Sequence, residues 1–107
     1  MFILPSGTVT FLFTDIEGST KLSQEYPEEL PSALDRHQSI LIDAVESNNG
    51  HVFEIVGDAF CCAFEYAEDA INAAVQAQIN LANEKWDGAV IKVRIGIHSG
   101  FAEWSKN

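Results

Sequence analysis

The chain has 107 residues and is acidic, with 16 Asp and Glu against six Lys and Arg and a formal net charge of −10. Its composition, 47% hydrophobic and 21% charged, excludes a disordered or fibrous chain. The charge repels a phosphate backbone and disfavours nucleic-acid binding, although acid-rich surfaces are also common on ordinary soluble proteins. No apolar run reaches the ~20 residues that span a bilayer, and no basic signal-peptide start is present. We therefore expect one cytoplasmic domain over residues 1–107, with neither membrane nor nucleic acid as a partner.

The first half of the chain predicts a strand followed by two helices. β-branched and aromatic residues from Thr8 to Thr14 predict a strand that is buried on both faces. The polar residues 17–20 then open a short helix. A second helix carries apolar residues at helical spacing, with Ser32 and Asp35 as its capping box. We expect it to stop before Gly50, which suits the left-handed cap position.

The second half predicts a hairpin, a long helix and a final strand. Residues 51–64 contain two strand-like runs around a Gly-Asp pair, which indicates a β-hairpin. Small and apolar residues recur at three and four positions from Ala67 to Gln78 and predict a helix that packs closely on a sheet. Residues 90–97 form the last clear strand, and Phe101 is expected to begin another. The order β-α-α-β-β-α-β predicts an α+β, ferredoxin-like palm: an antiparallel sheet with helices on one face.

The two cysteines, Cys61 and Cys62, are adjacent in the second run of the predicted hairpin. Neighbouring strand residues point to opposite faces, so a local disulfide or a shared metal ion is not expected. We expect both residues to pack as small hydrophobic side chains with free thiols, which fits a reducing cytoplasm.

Two aspartates are the most informative polar residues. Asp15 ends the first strand and Asp58 lies at the tip of the hairpin. The first strand of such a sheet is central, so the hairpin strands are its natural neighbours and the two carboxylates can meet. Close carboxylates repel each other unless a cation lies between them, and oxygen ligands suit Mg²⁺ or Mn²⁺ bound with substrate phosphates. On spacing alone, however, both residues also fit ordinary turn chemistry.

The segment after Asp15 is a second candidate site. It passes from strand to helix with Gly and small hydroxyl residues, so several backbone N–H groups lack partners inside the helix. Such a helix start can bind an anion, for example a triphosphate. An ordinary helix cap explains the same residues.

Three segments resemble class III adenylate/guanylate cyclase catalytic domains, especially those of the bacterial branch. Gly7 to Thr20 resembles the opening motif, Gly50 to Phe60 is similar to the second metal motif, and Arg94 to Gly100 resembles the strand that follows. The motifs occur in the family's order and cover nearly the whole chain. The resemblance implies a ferredoxin-like palm and an enzyme that forms a 3′,5′-cyclic nucleotide from a nucleoside triphosphate.

The resemblance also implies a set of site residues. Two Mg²⁺ or Mn²⁺ ions would be held by the carboxylates of Asp15 and Asp58 and by the backbone carbonyl of Ile16. One ion would activate the ribose 3′-hydroxyl and the other would hold the triphosphate. The phosphate oxygens would be bound by the backbone amides of Glu17, Gly18, Ser19 and Thr20.

The resemblance implies that Glu54 influences which purine base is bound. Adenylyl cyclases similar to this chain carry Lys at that position, four residues before the second aspartate, whereas guanylyl cyclases carry Glu. Glu54 can accept hydrogen bonds from N1–H and the 2-amino group of guanine, which favours GTP over ATP. A site without purine selectivity fits equally well. His98 matches a family motif, but we expect it to be structural.

The resemblance further implies residues that this chain does not supply. Family domains continue beyond the equivalent of Asn107, where they carry a second purine-reading residue and the Asn and Arg that stabilise the transition state. We therefore expect a C-terminally incomplete domain with no catalytic residue beyond the metal ligands, little activity alone, and self-association into a homodimer or larger assembly.

The sequence leaves one alternative function open and disfavours another. The alternative that stays open is a non-catalytic dimerisation or nucleotide-binding module derived from a cyclase domain. Diguanylate cyclases share a similar palm, but their Gly-Gly-Asp/Glu-Glu-Phe signature does not occur here.

Overall fold

The computed structural model of the chain describes residues 5–103. Seven elements follow one another: β1 (Gly7–Ile16), α1 (Ser19–Glu25), α2 (Leu30–Ser47), β2 (His51–Val56), β3 (Ala59–Phe64), α3 (Ala67–Asn83) and β4 (Val93–Ala102). This is the order β-α-α-β-β-α-β that the sequence predicts. None of the helices within residues 5–103 is long and apolar enough to cross a bilayer.

The four strands form one antiparallel sheet in the order β2-β3-β1-β4. The first strand is therefore central, as expected, with the second strand of the hairpin on one side and β4 on the other. Pairing between β1 and β4 is continuous from Gly7 opposite Ala102 to Ile16 opposite Val93. The prediction of an α+β, ferredoxin-like palm is confirmed.

The sheet has two unlike faces because successive residues of a strand point to opposite sides. On β1, Leu12 and Ile16 belong to the buried core under α2 and α3, and we call this side the covered face. Phe11, Phe13 and Asp15 alternate with them on the other side, which we call the open face. The buried residues of α2 are Ala33, His37, Ile40, Leu41, Ala44 and Val45.

Helix α2 differs from its prediction at both ends. It begins at Leu30, and within residues 5–103 no side chain caps its N-terminus with a hydrogen bond, so the predicted box of Ser32 and Asp35 was wrong. Pro31 fits this earlier start because proline needs no N–H partner in the first turn. At the other end, Asn49 rather than Gly50 takes the left-handed conformation, with φ of 63°.

Gly50 has a different role from the predicted one. A Cβ at this position would overlap the buried ring of Phe64, so a larger residue would push β3 away from the end of α2. The N–H of Gly50 donates to the carbonyl of Val45 at 2.9 Å, and that of Asn49 donates to Glu46 at 3.3 Å. These two bonds form a Schellman motif that closes the helix.

The last strand is longer than predicted. β4 begins at Val93 and runs without a break to Ala102, so the prediction of a separate strand from Phe101 was wrong. The reason is tertiary: β1 provides a pairing partner at every position, and the hydroxyls of Thr10 and Ser99 are 2.8 Å apart across the two strands. Trp104, which the predicted strand included, lies outside the described residues.

Candidate metal and nucleotide site

Asp15 lies near the end of β1 on the open face, directly opposite Arg94 of β4. The guanidinium of Arg94 donates two hydrogen bonds to its carboxylate, from Nε to Oδ1 at 2.9 Å and from the terminal nitrogen to Oδ2 at 2.7 Å. These bonds hold the pKa of Asp15 below its ordinary value and raise that of Arg94. Arg94 was not predicted as a partner of Asp15, although the polar alternation of β4 at Arg94 was a usable signal.

Asp58 lies at the same end of the sheet, in the turn between β2 and β3. Gly57 precedes it with φ of 63°, the conformation that a type II′ hairpin turn requires at its first central residue. Thr14 of β1 is paired with Phe60 of β3. Asp15 follows Thr14, and Asp58 lies two residues before Phe60. The sheet thus brings both aspartates to one end of neighbouring strands.

The segment after β1 offers backbone groups. The side chain of Ile16 is 4% exposed and packs in the core, so only its backbone is available to a ligand. The N–H of Glu17 already donates to the carbonyl of Lys92 at 2.8 Å. Gly18 adopts φ of 65°, and its carbonyl accepts the first hydrogen bond of α1, from Leu22 at 3.0 Å.

Glu54 is exposed on β2, where a β-bulge follows Val52. It is paired with Cys61 of β3, and Cys61 is paired in turn with Phe13 of β1. Glu54 and Phe13 therefore belong to one row of open-face residues, and Asp15 lies two residues further along β1. Burial, and secondarily the charge of Glu54, raises the pKa of the Cys61 thiol.

Aromatic rings cover part of the open face. Phe11 and Phe13 are stacked with centroids 6.0 Å apart, and Phe53 meets Phe11 edge-on at 6.1 Å. The ring of Phe13 stays 43% exposed. Such a surface can stack against a planar base or pack against another protein.

His37 of α2 lies on the covered side of the same end of the sheet. It is 2% exposed, and its ring meets that of Phe60 edge-on with centroids 5.7 Å apart. Burial lowers the pKa of His37, while the charge of Asp58 and the backbone of Leu34 act in the opposite direction. His37 was not predicted from the sequence as a site residue, although a histidine within the apolar stripe of α2 was a visible signal.

The donor set suits a cation that completes its shell with substrate. Within residues 5–103, no three His, Cys, Asp or Glu side chains are grouped so that they could hold a metal ion by themselves. Two carboxylates at one edge, together with a backbone carbonyl, are what Mg²⁺ bound through substrate phosphates uses. The cysteines are free, and burial raises the pKa of Cys62 to about 12.

Comparison with known proteins assigns the fold to a family. The family of the adenylate and guanylate cyclase catalytic domain matches residues 3–103, and the chain belongs to it. An uncharacterized protein of Mycobacterium tuberculosis is 36% identical over 98 residues, which are 90% of this chain and 32% of that protein. An adenylate cyclase of Schizosaccharomyces pombe is 27% identical over 82% of this chain and 5% of its own length. The chain thus spans a third or less of these two relatives.

Solved structures agree with this assignment. An adenylate cyclase from Trypanosoma brucei in its monomeric state superposes with a TM-score of 0.84 at 24% identity, over 91% of this chain and 58% of that one. A dimeric guanylyl cyclase domain from the fungus Blastocladiella emersonii superposes with a TM-score of 0.78 at 23% identity. This superposition covers 95% of this chain and 64% of that one. At these identities the superpositions establish the fold, which is shared by cyclases named for either purine.

Proposed function

We propose that this chain is a nucleotidyl cyclase module that binds a nucleoside triphosphate with two Mg²⁺ or Mn²⁺ ions and serves the formation of a 3′,5′-cyclic nucleotide. The observation that carries the proposal is the placement of Asp15 and Asp58 at the same end of neighbouring strands, beside the turn that opens α1. When bound, the metal ions would activate the ribose 3′-hydroxyl and neutralise charge on the triphosphate.

The carboxylates of Asp15 and Asp58 and the carbonyl of Ile16 would hold these ions. Arg94 neutralises Asp15 when no cation is present. The pair is exposed, with 67% of the Arg94 side chain and 50% of the Asp15 side chain accessible, so water screens it and it contributes little to stability. A divalent cation bound to both aspartates can therefore displace the guanidinium, which would remain beside the phosphates.

The turn at the start of α1 would bind phosphate oxygens through backbone amides. Because the N–H of Glu17 is engaged by Lys92, this part of the proposal rests on Gly18, Ser19 and Thr20. The left-handed conformation of Gly18 supports it, since such a residue turns successive N–H groups towards one side.

The base would lie on the open face, with the exposed ring of Phe13 available for stacking and Glu54 reading its edge. A carboxylate only accepts hydrogen bonds, so Glu54 suits the N1–H and 2-amino donors of guanine and favours GTP. ATP remains the alternative substrate, because the yeast relative is named an adenylate cyclase.

The open face would also bind a second copy of the chain. Its aromatic rings are partly exposed, and β4 is an edge strand of the described sheet. Exposed edges and apolar faces promote association. We propose a homodimer or a larger assembly, and the two free thiols fit a cytoplasmic location.

Turnover by the 107 residues alone should be low. The resemblance assigns the transition-state Asn and Arg to a part of the family domain that these residues do not match. Loss of a charge-stabilising arginine costs on the order of 10³–10⁵ in rate in phosphoryl transfer. Robust cyclic GMP or cyclic AMP formation by the purified chain would contradict this expectation.

A non-catalytic dimerisation or nucleotide-binding module is the second candidate. The observation that favours it is the bidentate contact of Arg94, which engages both oxygens of Asp15. In that case the ion pair is structural, and no cation replaces it.

Calorimetry with Mn²⁺ and GTP or ATP tests the proposal. We expect Asp15→Asn and Asp58→Asn each to weaken Mn²⁺-nucleotide binding at least tenfold, or ~1.4 kcal/mol, because each removes a ligand charge. Asp43→Asn on the exposed side of α2 is the matched control and should bind as the unsubstituted chain does. Equal affinity in all four proteins would reject the two-metal site and favour the non-catalytic module.

A further inference from the structure

His37 is a polar side chain in an apolar position. It shares the buried stripe of α2 with alanines, isoleucine, leucine and valine, and it is 2% exposed. Among the described residues, its buried Nε2 atom has no hydrogen-bond partner. A buried polar atom left without a partner costs about 1–3 kcal/mol, which a leucine at this position would avoid. Packing alone therefore does not explain the imidazole.

The surroundings of His37 connect it to both aspartates. Its ring contacts Phe60, which lies two residues after Asp58. The backbone N–H of Phe60 donates to Oγ1 of Thr14 at 3.3 Å, and Thr14 is the residue before Asp15. His37, Phe60 and Thr14 thus form a buried cluster directly beneath the end of the sheet that carries the two carboxylates.

Asp58 is a candidate partner for the imidazole, because it lies two residues before the contacting Phe60 and its charge acts on the His37 ring. The Asp58 side chain is half-buried at the hairpin tip. No direct hydrogen bond joins the two groups within the described residues. A single water that donates one hydrogen to the carboxylate and one to the imidazole would satisfy both, and buried waters of this kind serve otherwise unpaired polar atoms.

We propose that His37 is a positioning residue for Asp58: its Nε2 holds the carboxylate, through one bridging water, in the orientation that ligates a divalent cation. The inference rests on the proposed role of Asp58 as a metal ligand and adds a residue that the family resemblance does not assign. A carboxylate at a two-residue turn can rotate freely, and a fixed outer partner removes that freedom. Loss of such partners commonly weakens metal affinity by about 10–100-fold.

Two substitutions separate this role from packing. His37→Leu removes the polar atom at similar volume and should leave the thermal midpoint unchanged or raise it, because leucine needs no buried hydrogen-bond partner. The same variant should weaken Mn²⁺ binding by about tenfold. His37→Gln can turn its amide oxygen, an acceptor as Nε2 is, towards the bridging water and should restore most of the affinity. His98→Leu on the open face is the matched control and should have no effect.

The experiment has a metal-free arm and a metal arm, both with the whole chain. In the first, the ring-nitrogen NMR signals of His37 are compared between the unsubstituted protein and Asp58→Asn, and we expect them to shift while those of His98 do not. In the second, Mn²⁺ alone is titrated and followed by electron paramagnetic resonance. Unchanged His37 signals, or a His37→Gln variant as weak as His37→Leu, would overturn the inference.

The Mn²⁺ titration also distinguishes failure of the proposed metal site from failure of the positioning role of His37. If Asp58→Asn binds Mn²⁺ as well as the unsubstituted chain, the proposed metal site itself fails, and the role of His37 fails with it. If Asp58→Asn is weakened while His37→Leu binds normally, the metal site stands and only the positioning role is rejected.

Discussion

The covered and open faces of the sheet are built by the same strands, but one carries buried packing residues and the other carries exposed polar and aromatic residues. On the covered face, Leu12, Phe60 and Phe64 are at most 2% exposed and pack under the helices. On the open face, Asp15 and Arg94 form an exposed ion pair next to partly exposed aromatic rings. Because side chains alternate, substitutions on one face hardly disturb the other. Stability and base recognition can therefore be changed separately in this chain, whereas the proposed metal site depends on both faces through His37.

The largest expected difference between the faces is in stability. Phe64→Ala empties a fully buried position and should lower the free energy of unfolding by about 3–5 kcal/mol. Phe13→Ala removes the same ring from a position that is 43% exposed and should cost about 1 kcal/mol or less. Urea denaturation of both variants measures this contrast. Similar losses would mean that the open face is covered in solution, for instance by a second copy.

Purine choice should respond only to the open face. Glu54→Lys replaces an acceptor by a donor and should shift binding from GTP towards ATP, because the guanine donors lose a partner worth about 1–3 kcal/mol. Glu65→Lys, exposed just beyond β3, is the control of equal charge change. Mn²⁺-dependent affinities for GTP and ATP give the result. An unchanged ratio would show that Glu54 does not contact the base.

The covered face should carry a pH dependence. Burial lowers the folded-state pKa of His37 below its ordinary value of 6.5. Between those two values the unfolded chain binds more protons than the folded one, so the free energy of unfolding falls as the pH drops below about 6.5. The slope from one such group is at most ~1.4 kcal/mol per pH unit.

Denaturation at several pH values between about 7.5 and 5 tests this sign. His37→Leu should flatten the profile in that window, whereas His98→Leu should not. A profile that His37→Leu leaves unchanged would assign the acid sensitivity to other groups.

The smallest expected effect on stability comes from breaking the open-face ion pair of Asp15 and Arg94. Arg94→Gln should leave the free energy of unfolding nearly unchanged, because exposed pairs are largely screened by water. It should still raise the pKa of Asp15 towards its ordinary value, since the Arg94 hydrogen bond is the main cause of the lowering. NMR titration of Asp15 detects this change. A loss of several kcal/mol would instead make the pair a structural element.

Much of the fold could be predicted because local patterns agreed with it. The strand-rich run of β1, the Gly-Asp turn and the small residues of α3 each have a period or a turn signal that acts over a few residues. The errors arose where tertiary contacts decide. Pairing with β1 extends β4 beyond the residues whose own sequence pattern predicts a strand. Gly50 is required because the ring of Phe64 leaves no room for a Cβ, and not because the backbone there has a left-handed φ.

The candidate site was predicted in part for the same reason. Sequence motifs predicted Asp15, Asp58 and Glu54 as site residues. The sheet brings the two aspartates to one end, and the binding roles of all three residues stay predictions. Arg94 and His37 were missed because their partners lie far away in sequence and are reached only through the sheet order or the packing of α2. A polar residue inside an apolar stripe is the local signal that such a partner exists.

The position of β1 has a consequence for how the chain comes to be folded. Its partner β4 ends at Ala102, so a growing polypeptide cannot complete the central pairing until that residue has been synthesised. Long-range pairing of this kind slows folding, because the ends of a long loop must meet before any contact stabilises them. Until then, one edge of β1 stays unpaired and can recruit another chain. We expect the yield of folded protein to depend on synthesis rate and chaperones more than the modest size of the domain suggests.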